Sequence, residues 1–370
     1  MRGIATLLLV ELLALIGVHE IGCDVKFRNQ DAVLEDFEIT KSEKVHYGSL
    51  DEQAVRNLFD NFIREHNKKY LSHEERERRL KVFAQNLKKY DILNEADMGT
   101  AVYGVDEFSD MSDEEFKEKM LLKTTYTRRT KADGAHTLNI ENLKIPKNFD
   151  WRTKGAVSPV KYQGSHCGSC WAFATVAVLE GLYYLKHKKM ESFSEQQLVD
   201  CDPLSYGCAG GLMSDAVKYL KSAGGLELNT TYPYKAQTEP CHQNSTNFVL
   251  KVKDLVPLPR NDERKVARYL FKNGPVKVAV DANAMYGYKD GIAHPPESMC
   301  SKNEDDLNHE ITLVGYGVQV ERANGRKKKI PYWIAKNSWG EEWGAKGYYY
   351  LYRGDSSCGV AVDPHSAKIK

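Results

Sequence analysis

The chain has 370 residues, with 52 Lys and Arg against 51 Asp and Glu and a net charge of +1. Because single hydrophobic cores seldom grow beyond about 250 to 300 residues, this length predicts two or three compact units. The balanced charge argues against a nucleic-acid partner and against an anionic membrane surface as a partner. One basic run, at 326–329, lies in a Gly-containing stretch between two strand-like segments, and we interpret it as a solvated hairpin loop.

The N-terminal segment is mostly apolar. Ile4 to Val18 is interrupted once, by Glu11, and polar sequence follows. This is the length of a signal-peptide core and is shorter than the ~20 apolar residues that span a bilayer. Residues 1–23 are therefore predicted to be a signal peptide, with an uncleaved anchor as the alternative. No later segment is apolar enough to predict stable membrane insertion.

Export would permit disulfides, which makes the cysteine count informative. Seven of the eight cysteines lie beyond Pro146. An odd number leaves one thiol free or paired outside the chain, and a free thiol in an exported protein is a candidate nucleophile. Sequence alone allows 15 pairings of the other six.

Helical patterns dominate the first part of the chain after the apolar segment. Apolar residues recur at helical spacing over 55–63 and again over 80–90, and Ser112 with Glu115 resembles a capping box that opens a third helix. Polar sequence without periodicity follows from Lys123 to Ile145 and predicts a linker open to proteolysis. A helical prodomain at about 55–120 is expected within a segment 24–145.

The remaining residues, 146–370, divide into two unlike halves. Apolar sequence from Cys170 to Leu185 predicts a buried helix, and two further helices are expected, after Ser194 and over 212–220. Beyond about Leu255 the patterns indicate mainly strands, over 276–280, 311–320, 332–335 and 348–352. The prediction is an α+β domain with a helical lobe and a sheet lobe, and ligand sites commonly form in the cleft between such lobes.

The segment 163–171, Gln-Gly-Ser-His-Cys-Gly-Ser-Cys-Trp, carries the strongest chemical signal. It places Cys170 at the start of the buried helix, where unpaired amides and the helix dipole favour a thiolate. A nucleophilic thiolate needs a base, for which His309 is the best candidate, and Asn337 is suited to orient the imidazole. His166, His187 and His242 are interpreted as surface or structural residues.

These motifs resemble the papain family of cysteine proteases. Cys-Gly-Ser-Cys-Trp at 167–171 matches the family's signature at every position, and His309 lies at the expected distance from Cys170. Asn337 lies 167 residues beyond Cys170, slightly late, which the charged loop between Val320 and Pro331 explains. The resemblance extends from about Asn57 to Lys370 and is strongest to the cathepsin L-like branch. The prosegment motifs that carry it are Glu75, Arg79, Phe83, Asn86 and Asn94, followed by Gly104, Asp106, Phe108 and Asp110.

The resemblance implies a two-lobed papain-like fold with a helical lobe, a β-barrel-like lobe and an N-terminal inhibitory prodomain. It gives Gln163 the role of side-chain donor to the oxyanion, although His166 is an insertion beside it. Trp339 is expected to shield the contact between His309 and Asn337 from water. The disulfides implied are Cys167 with Cys208, Cys201 with Cys241, and Cys300 with Cys358. The substrate-binding residues implied are Gly210, Gly211, Leu212, Met213, Ala279, Leu307, Asn308, Trp339 and Asp363.

The resemblance implies a specificity pocket formed by Leu212, Met213, Ala279, Leu307 and Asp363. Four of these residues are apolar, which predicts bulky apolar side chains one residue before the acyl residue of the substrate. The carboxylate of Asp363 suggests that the pocket also admits an arginine side chain of the substrate. The alternative is that this carboxylate turns to solvent. Protonation of Asp106 and Asp110 is expected to weaken the prosegment's grip in an acidic compartment.

The function expected is that of a secreted or lysosomal cysteine endopeptidase made as a self-inhibited zymogen. An endopeptidase is favoured over an exopeptidase because no insertion resembles the occluding loop of cathepsin B. A non-catalytic protein or an acyltransferase on the same fold is the alternative. Expected partners are peptide and protein substrates, the chain's own propeptide and cystatin-like inhibitors, with a monomeric state and no metal or cofactor. Asn229 and Asn244 lie in sequons and are predicted glycosylation sites.

Overall fold

The computed structural model describes residues 44–122, 140–323 and 326–370. The predicted signal peptide and most of the predicted linker lie outside the described residues. Within those ranges the chain forms a helical prodomain, a helical lobe and a sheet lobe. No helix in the described part of the chain is long and apolar enough to cross a membrane.

The prodomain consists of three capped helices and a short strand. α1 (Glu52–Glu65), α2 (His73–Ala96) and α3 (Asp113–Met120) confirm the helices predicted from periodicity. The side chain of Ser112 accepts a hydrogen bond from the backbone N–H of Glu115, so the predicted cap opens α3. The strand β1 (Val102–Tyr103) pairs antiparallel with β5 (Tyr288–Asp290) of the sheet lobe and fixes the prodomain on that lobe.

The helical lobe is built around α4 (Cys170–His187), whose first half is buried on all sides. α5 (Glu195–Cys201) starts at Ser194, which accepts from the backbone N–H of Gln197 as predicted. α6 (Met213–Ala223) ends at Gly224, whose positive φ of 98° suits a residue without a Cβ. Short 3₁₀ turns connect these helices, and the turn Gly207–Ala209 leads to Gly210 and Gly211.

The sheet lobe is an eight-stranded sheet with the path β3-β10-β4-β7-β8-β9-β6, and β2 pairs with β7 beside that path. Among the described residues this path ends at β3 and β6, so the lobe expected to be barrel-like is an open sheet. The strands are β2 (Phe149–Asp150), β3 (Val252–Pro257), β4 (Val276–Val280), β6 (Ile292–Ala293), β7 (His309–Ala323), β8 (Arg326–Lys336), β9 (Tyr348–Tyr352) and β10 (His365–Ile369).

Two features of the sheet lobe differ from the prediction. The helix α7 (Glu263–Asn273) interrupts a region expected to be mainly strands; Asp262 caps its start and Gly274 ends it. The basic run at 326–329 is not a loop, because β8 begins at Arg326 and pairs with β7 out to Ala323. Cross-strand hydrogen bonds extend the hairpin into solvent there, and the side chains of Lys327, Lys328 and Lys329 remain exposed.

Aromatic rings join the prodomain to the sheet lobe close to His309. Phe108 and Phe116 pack edge-on against Trp339, with ring centroids 5.7 and 5.4 Å away. Asn86 on α2 donates to the hydroxyl of Tyr286, and that hydroxyl donates to the carbonyl of Phe108. Buried aromatic contacts of this kind, with satisfied hydroxyls, fix the prodomain over one end of the cleft.

Candidate active site

Cys170 is the first residue of α4 and is fully buried. It is the free cysteine in the described part of the chain, while its neighbour Cys167 forms a disulfide with Cys208. The backbone N–H of Glu310 points at Cys170 Sγ, with 3.5 Å between the two heavy atoms. The strand that begins at His309 therefore lies against the sulfur, and the two lobes meet at this thiol.

His309, the first residue of β7, and Asn337, which directly follows β8, form a buried pair. His309 Nε2 lies 2.8 Å from Asn337 Oδ1. The indole of Trp339 covers the imidazole, with ring centroids 4.6 Å apart. His309 Nδ1 is buried and has no hydrogen-bond partner among the residues that the structure describes. The imidazole is thus held through one nitrogen and shielded on one face, as predicted for Trp339.

Gln163 lies beside the thiol in the loop that precedes α4. Its side-chain oxygen accepts from the hydroxyl of Ser338, and its amide nitrogen donates to the carbonyls of Cys167 and Met120. The inserted His166 sits in an exposed bend and contacts Ser165. The extra residue is therefore accommodated at the surface, while the Gln163 amide stays buried and oriented towards the cleft.

The prosegment passes through the cleft directly after α3. The carbonyl of Met120 accepts from Gln163 Nε2 at 3.0 Å, and the backbone N–H of Leu122 donates to the carbonyl of Asn308 at 2.9 Å. The carbonyl of Leu121 is so close to Gly168 that an added Cβ there would lie 2.6 Å from it. These contacts place a polypeptide backbone across the cleft beside Cys170.

Burial sets the protonation of the Cys170 thiol and the His309 imidazole. Burial raises the pKa of the Cys170 thiol to about 12. Burial also lowers the pKa of His309 to about 4, against the opposing effect of the hydrogen bond to Asn337. The prediction of a thiolate at this helix start is therefore wrong for the closed form, in which the prosegment lies across the cleft, because desolvation of the sulfur outweighs the favourable helix N-terminus.

The residues of the expected specificity pocket come together. Met213, Ala279 and Leu307 belong to one cluster of buried apolar side chains, and Leu212 packs against it. Leu122 of the prosegment belongs to the same cluster. An apolar side chain of the chain's own prosegment thus packs with the residues predicted to receive an apolar substrate side chain.

The glycines of the groove have steric reasons for their identity. Gly210 has a φ of 129°, in a region that other residues rarely adopt. Gly211 lies against the indole of Trp171, where an added Cβ would come within 2.6 Å of the ring. Asn308, next to His309, accepts the backbone N–H of Ala282 on its side-chain oxygen, which fixes the loop before β7.

Two buried charged residues beside the pocket were missed from the sequence. Lys277 on β4 pairs with Glu310 on β7 and with Asp363 before β10. Asp363 therefore faces inwards, and the alternative that it turns to solvent is wrong. Lys277 interrupts the otherwise apolar run 276–280, and a charge in such a run was the available signal.

The structure joins the six remaining cysteines of 146–370 in the pairs that the resemblance implies. Of the other histidines singled out, His187 packs on Tyr183 and His242 stacks on Tyr232, both away from the thiol. The predicted glycosylation site Asn244 is exposed, and Asn229 is half-buried. The disulfides are Cys167–Cys208, Cys201–Cys241 and Cys300–Cys358.

Comparison with known proteins gives relatives over most of the chain. Cathepsin F of Drosophila melanogaster is 42% identical over 357 residues, which are 95% of this chain and 57% of the relative. Cathepsin F of Mus musculus is 41% identical over 84% of this chain and 64% of the relative. The chain thus spans less than two thirds of the length of these two relatives. Cysteine proteinase 15A of Pisum sativum is 41% identical over 82% of this chain and 83% of the relative.

Solved proforms share the fold. The digestive procathepsin L2 proteinase from Tenebrio molitor larval midgut has a TM-score of 0.75 and 32% identity, over 85% of this chain and 99% of that one. A recombinant stem bromelain precursor has a TM-score of 0.70 and 32% identity, over 85% and 98%. Residues 59–116 match the cathepsin propeptide inhibitor domain, and 145–368 match the family described as papain family cysteine protease. The chain belongs to the papain family of cysteine proteases.

Proposed function

We propose that the chain is the precursor of a cysteine endopeptidase in which Cys170 is the nucleophile and His309 the general acid and base. Asn337 orients the imidazole, and Gln163 stabilises the oxyanion. The observation that carries this proposal is the polypeptide backbone of Met120–Leu122 held across the thiol by Gln163 and Asn308. A cleft that binds main chain beside a free thiol is suited to a peptide substrate.

The first half of the reaction is acylation. The Cys170 thiol transfers its proton to His309 Nδ1, the nitrogen left free by the contact with Asn337, and the sulfur attacks the peptide carbonyl carbon. The carbonyl oxygen becomes an oxyanion that accepts from Gln163 Nε2 and from the backbone N–H of Cys170. Protonated His309 then donates its proton to the amine as the carbon–nitrogen bond breaks, which leaves a thioester.

The second half is deacylation. Neutral His309 accepts a proton from water, whose oxygen attacks the thioester carbonyl while the same donors hold the oxyanion. The carbon–sulfur bond breaks, the acid product leaves, and the thiol is regenerated with the proton held by the imidazole. Thiol, imidazole and amide groups balance every charge that develops in these two steps.

Burial explains why the precursor is silent. With the prosegment in place, burial raises the pKa of Cys170 to about 12 and lowers that of His309 to about 4. The neutral thiol and neutral imidazole are therefore favoured over the reactive ion pair. Departure of the prosegment lets water reach both groups, and the helix N-terminus then favours the thiolate.

The proposed precursor has three parts. Residues 1–23 are a signal peptide, residues 24–145 a propeptide with its inhibitory prodomain and linker, and residues 146–370 the peptidase. This organisation directs the protein to the secretory pathway, for a lysosomal or extracellular destination, with glycans at Asn229 and Asn244. The partners of the mature monomer are peptide and protein substrates and cystatin-like inhibitors.

The alternative is an acyltransferase or a non-catalytic protein on the same fold. An acyltransferase would pass the acyl group to an amine in place of water. A non-catalytic relative would be expected to lack the thiol or the imidazole, and this chain contains both. Product analysis with and without an added amine distinguishes a hydrolase from an acyltransferase.

The test uses the full-length protein after acid processing. Wild-type protein is expected to hydrolyse a Leu-Arg reporter peptide, while Cys170→Ser, processed in trans to the same length, is expected to be inactive. Cleavage within a long peptide supports an endopeptidase. Equal activity in Cys170→Ser, or a product that is mainly the amide of an added amine, would contradict the proposal.

A further inference from the structure

The strands β4 and β7 bury two opposite charges side by side. Lys277 Nζ lies 3.0 Å from Glu310 Oε1, and the side chains are 1% and 0% exposed. Removing an ionised group from water is unfavourable by several kcal/mol unless a partner compensates it, so the position of this ammonium group is set by the anions around it.

Two further residues, Asp363 and His365, complete the group. Lys277 Nζ lies 2.8 Å from Asp363 Oδ2, and His365 Nδ1 lies 3.4 Å from the same oxygen. Asp363 is itself only 16% exposed. Burial alone would raise the pKa of Asp363, but the charges of Lys277 and His365 lower it well below its ordinary value. The carboxylate is therefore charged and already engaged.

This charged group lies behind the wall of the specificity pocket. Lys277 and Ala279 are two residues apart on β4 and so point to the same face of the sheet. Glu310 is the cross-strand partner of Ala279, and His365 that of Lys277. Ala279 packs with Leu307 and with Leu122 of the prosegment in one apolar cluster. Val362, the residue before Asp363, belongs to the same cluster, so Asp363 lies next to the pocket with its carboxylate directed towards the Lys277 ammonium.

We propose that Lys277 is a specificity-determining residue, which engages the carboxylate of Asp363 so that the pocket accepts apolar side chains and rejects basic ones. A substrate guanidinium would have to displace the ammonium from Asp363 Oδ2 or lie close to it. Both arrangements are unfavourable, because like charges repel strongly where little water screens them. The acid in the pocket therefore does not make it a site for arginine. This inference rests on the proposed peptidase function.

The experiment compares Leu-Arg and Arg-Arg reporter peptides through the ratio of their kcat/KM values. The wild-type protein, acid-processed, is expected to prefer Leu-Arg at least tenfold. The informative variant is Lys277→Met combined with Glu310→Gln, because it removes the ammonium without leaving Glu310 as a lone buried carboxylate. The ratio of kcat/KM for Arg-Arg to kcat/KM for Leu-Arg is expected to be at least tenfold higher in this double variant than in the wild-type protein. Adding Asp363→Asn to it is expected to restore the wild-type ratio.

Asp363→Asn in the otherwise wild-type chain provides a second measurement that does not depend on the folding of the double variant. Its ratio is expected to stay within twofold of the wild-type ratio, because the carboxylate is already engaged. A tenfold loss of Arg-Arg cleavage in this variant would overturn the proposal, as would equal wild-type cleavage of both peptides. An active double variant with an unchanged ratio would also overturn it. Failure of the peptidase function would instead leave both peptides intact in the wild-type protein.

Discussion

His309 Nε2 and Asn337 Oδ1 are 2.8 Å apart because His309 begins β7, Asn337 directly follows β8, and these two strands are paired in a fixed register. Thr312 is the cross-strand partner of Lys336, so the start of β7 and the end of β8 lie together at the catalytic end of the hairpin. The extra charged residues between Val320 and Pro331 lengthen the opposite end. The late position of Asn337 in the sequence is therefore compatible with a normal contact to the imidazole.

Asn337→Ala is expected to lower kcat/KM about tenfold or more. A hydrogen bond to a charged group contributes about 1.5 to 3 kcal/mol, and about 1.4 kcal/mol corresponds to a factor of ten. The contact with Asn337 raises the pKa of His309. Its loss favours the neutral imidazole, so the alkaline limb of the pH profile is expected to move to lower pH. The measurement is kcat/KM against pH. Asn247→Ala, which removes a side-chain hydrogen bond to Glu227 away from the cleft, is expected to leave the profile unchanged.

Gln163→Ala is expected to lower kcat by about 10² to 10³, the usual effect of losing one oxyanion donor. The side chain is held by Ser338 and donates into the cleft, so KM is expected to change much less than kcat. Steady-state kinetics on the processed protein measures both. The exposed Gln237 supplies a control, Gln237→Ala, for the general effect of removing a glutamine. An increase in KM with kcat unchanged would show that Gln163 binds the substrate in the ground state only and does not stabilise the oxyanion.

Local motifs predicted much of this site. Cys170, His309 and Asn337 carry their chemistry in short segments with characteristic neighbours, and the structure brings all three to one end of the cleft. The same is true of the helices that Ser112 and Ser194 cap, since a cap acts within one turn of its helix.

Other features depend on contacts between distant segments. The ion pairs of Lys277 join three strands or loops far apart in sequence, so no local pattern reports them. The raised pKa of Cys170 results from burial, and the strand residue Glu310, 140 residues further along the chain, contributes to its surroundings. The helix α7 was not predicted, although Asp262 and Gly274 mark its ends, because strand-like patterns lie on both sides of it in the sequence.

The expected effect of acid on Asp106 is wrong in sign. Burial raises the pKa of Asp106, and burial raises that of the neighbouring Glu107 to about 7. A carboxyl group whose pKa is raised in the closed form binds a proton more tightly there than when released. Protonation of Asp106 and Glu107 therefore stabilises the closed form, and this stabilisation is lost as pH rises. Acid release has to come from carboxylates with lowered pKa values.

Glu115 is such a carboxylate. Burial would raise its pKa, but hydrogen bonds from Arg79 and Lys119 lower it to about 2. Because the folded pKa lies below the ordinary value of 4.5, the stabilisation is complete above about pH 4.5 and is lost as pH falls towards 2. Glu115→Gln removes the charge at every pH, and the pH of half-maximal self-processing is expected to rise by about one unit.

The processing rate of the full-length protein, followed by gel electrophoresis across pH, measures this effect. Glu118→Gln changes an exposed carboxylate on the same helix and is expected to process like the wild-type protein. An unchanged pH midpoint in Glu115→Gln would show that the contacts of Arg79 with α3 do not control release of the prodomain.

Lys161 links two buried carboxylates of the helical lobe, with Nζ 2.7 Å from both Glu180 and Glu195. Lys161→Met is expected to lower the free energy of unfolding by about 3 to 5 kcal/mol, because it removes the ammonium that both buried carboxylates contact. Urea unfolding of the Cys170→Ser protein avoids self-cleavage and measures this loss. The exposed Lys189, which pairs with Glu191, provides the control Lys189→Met, for which no measurable change is expected.

The pH dependence of that loss identifies its cause. Burial raises the pKa of Glu195 even beside the Lys161 ammonium. Loss of that ammonium is expected to raise it further, so Glu195 in the folded variant binds a proton at a pH where the unfolded chain does not. The variant therefore regains stability relative to the wild-type protein as pH falls, and the gap is expected to be widest near neutral pH. A gap independent of pH would show that Lys161 acts through packing of its aliphatic stem and not through its charge.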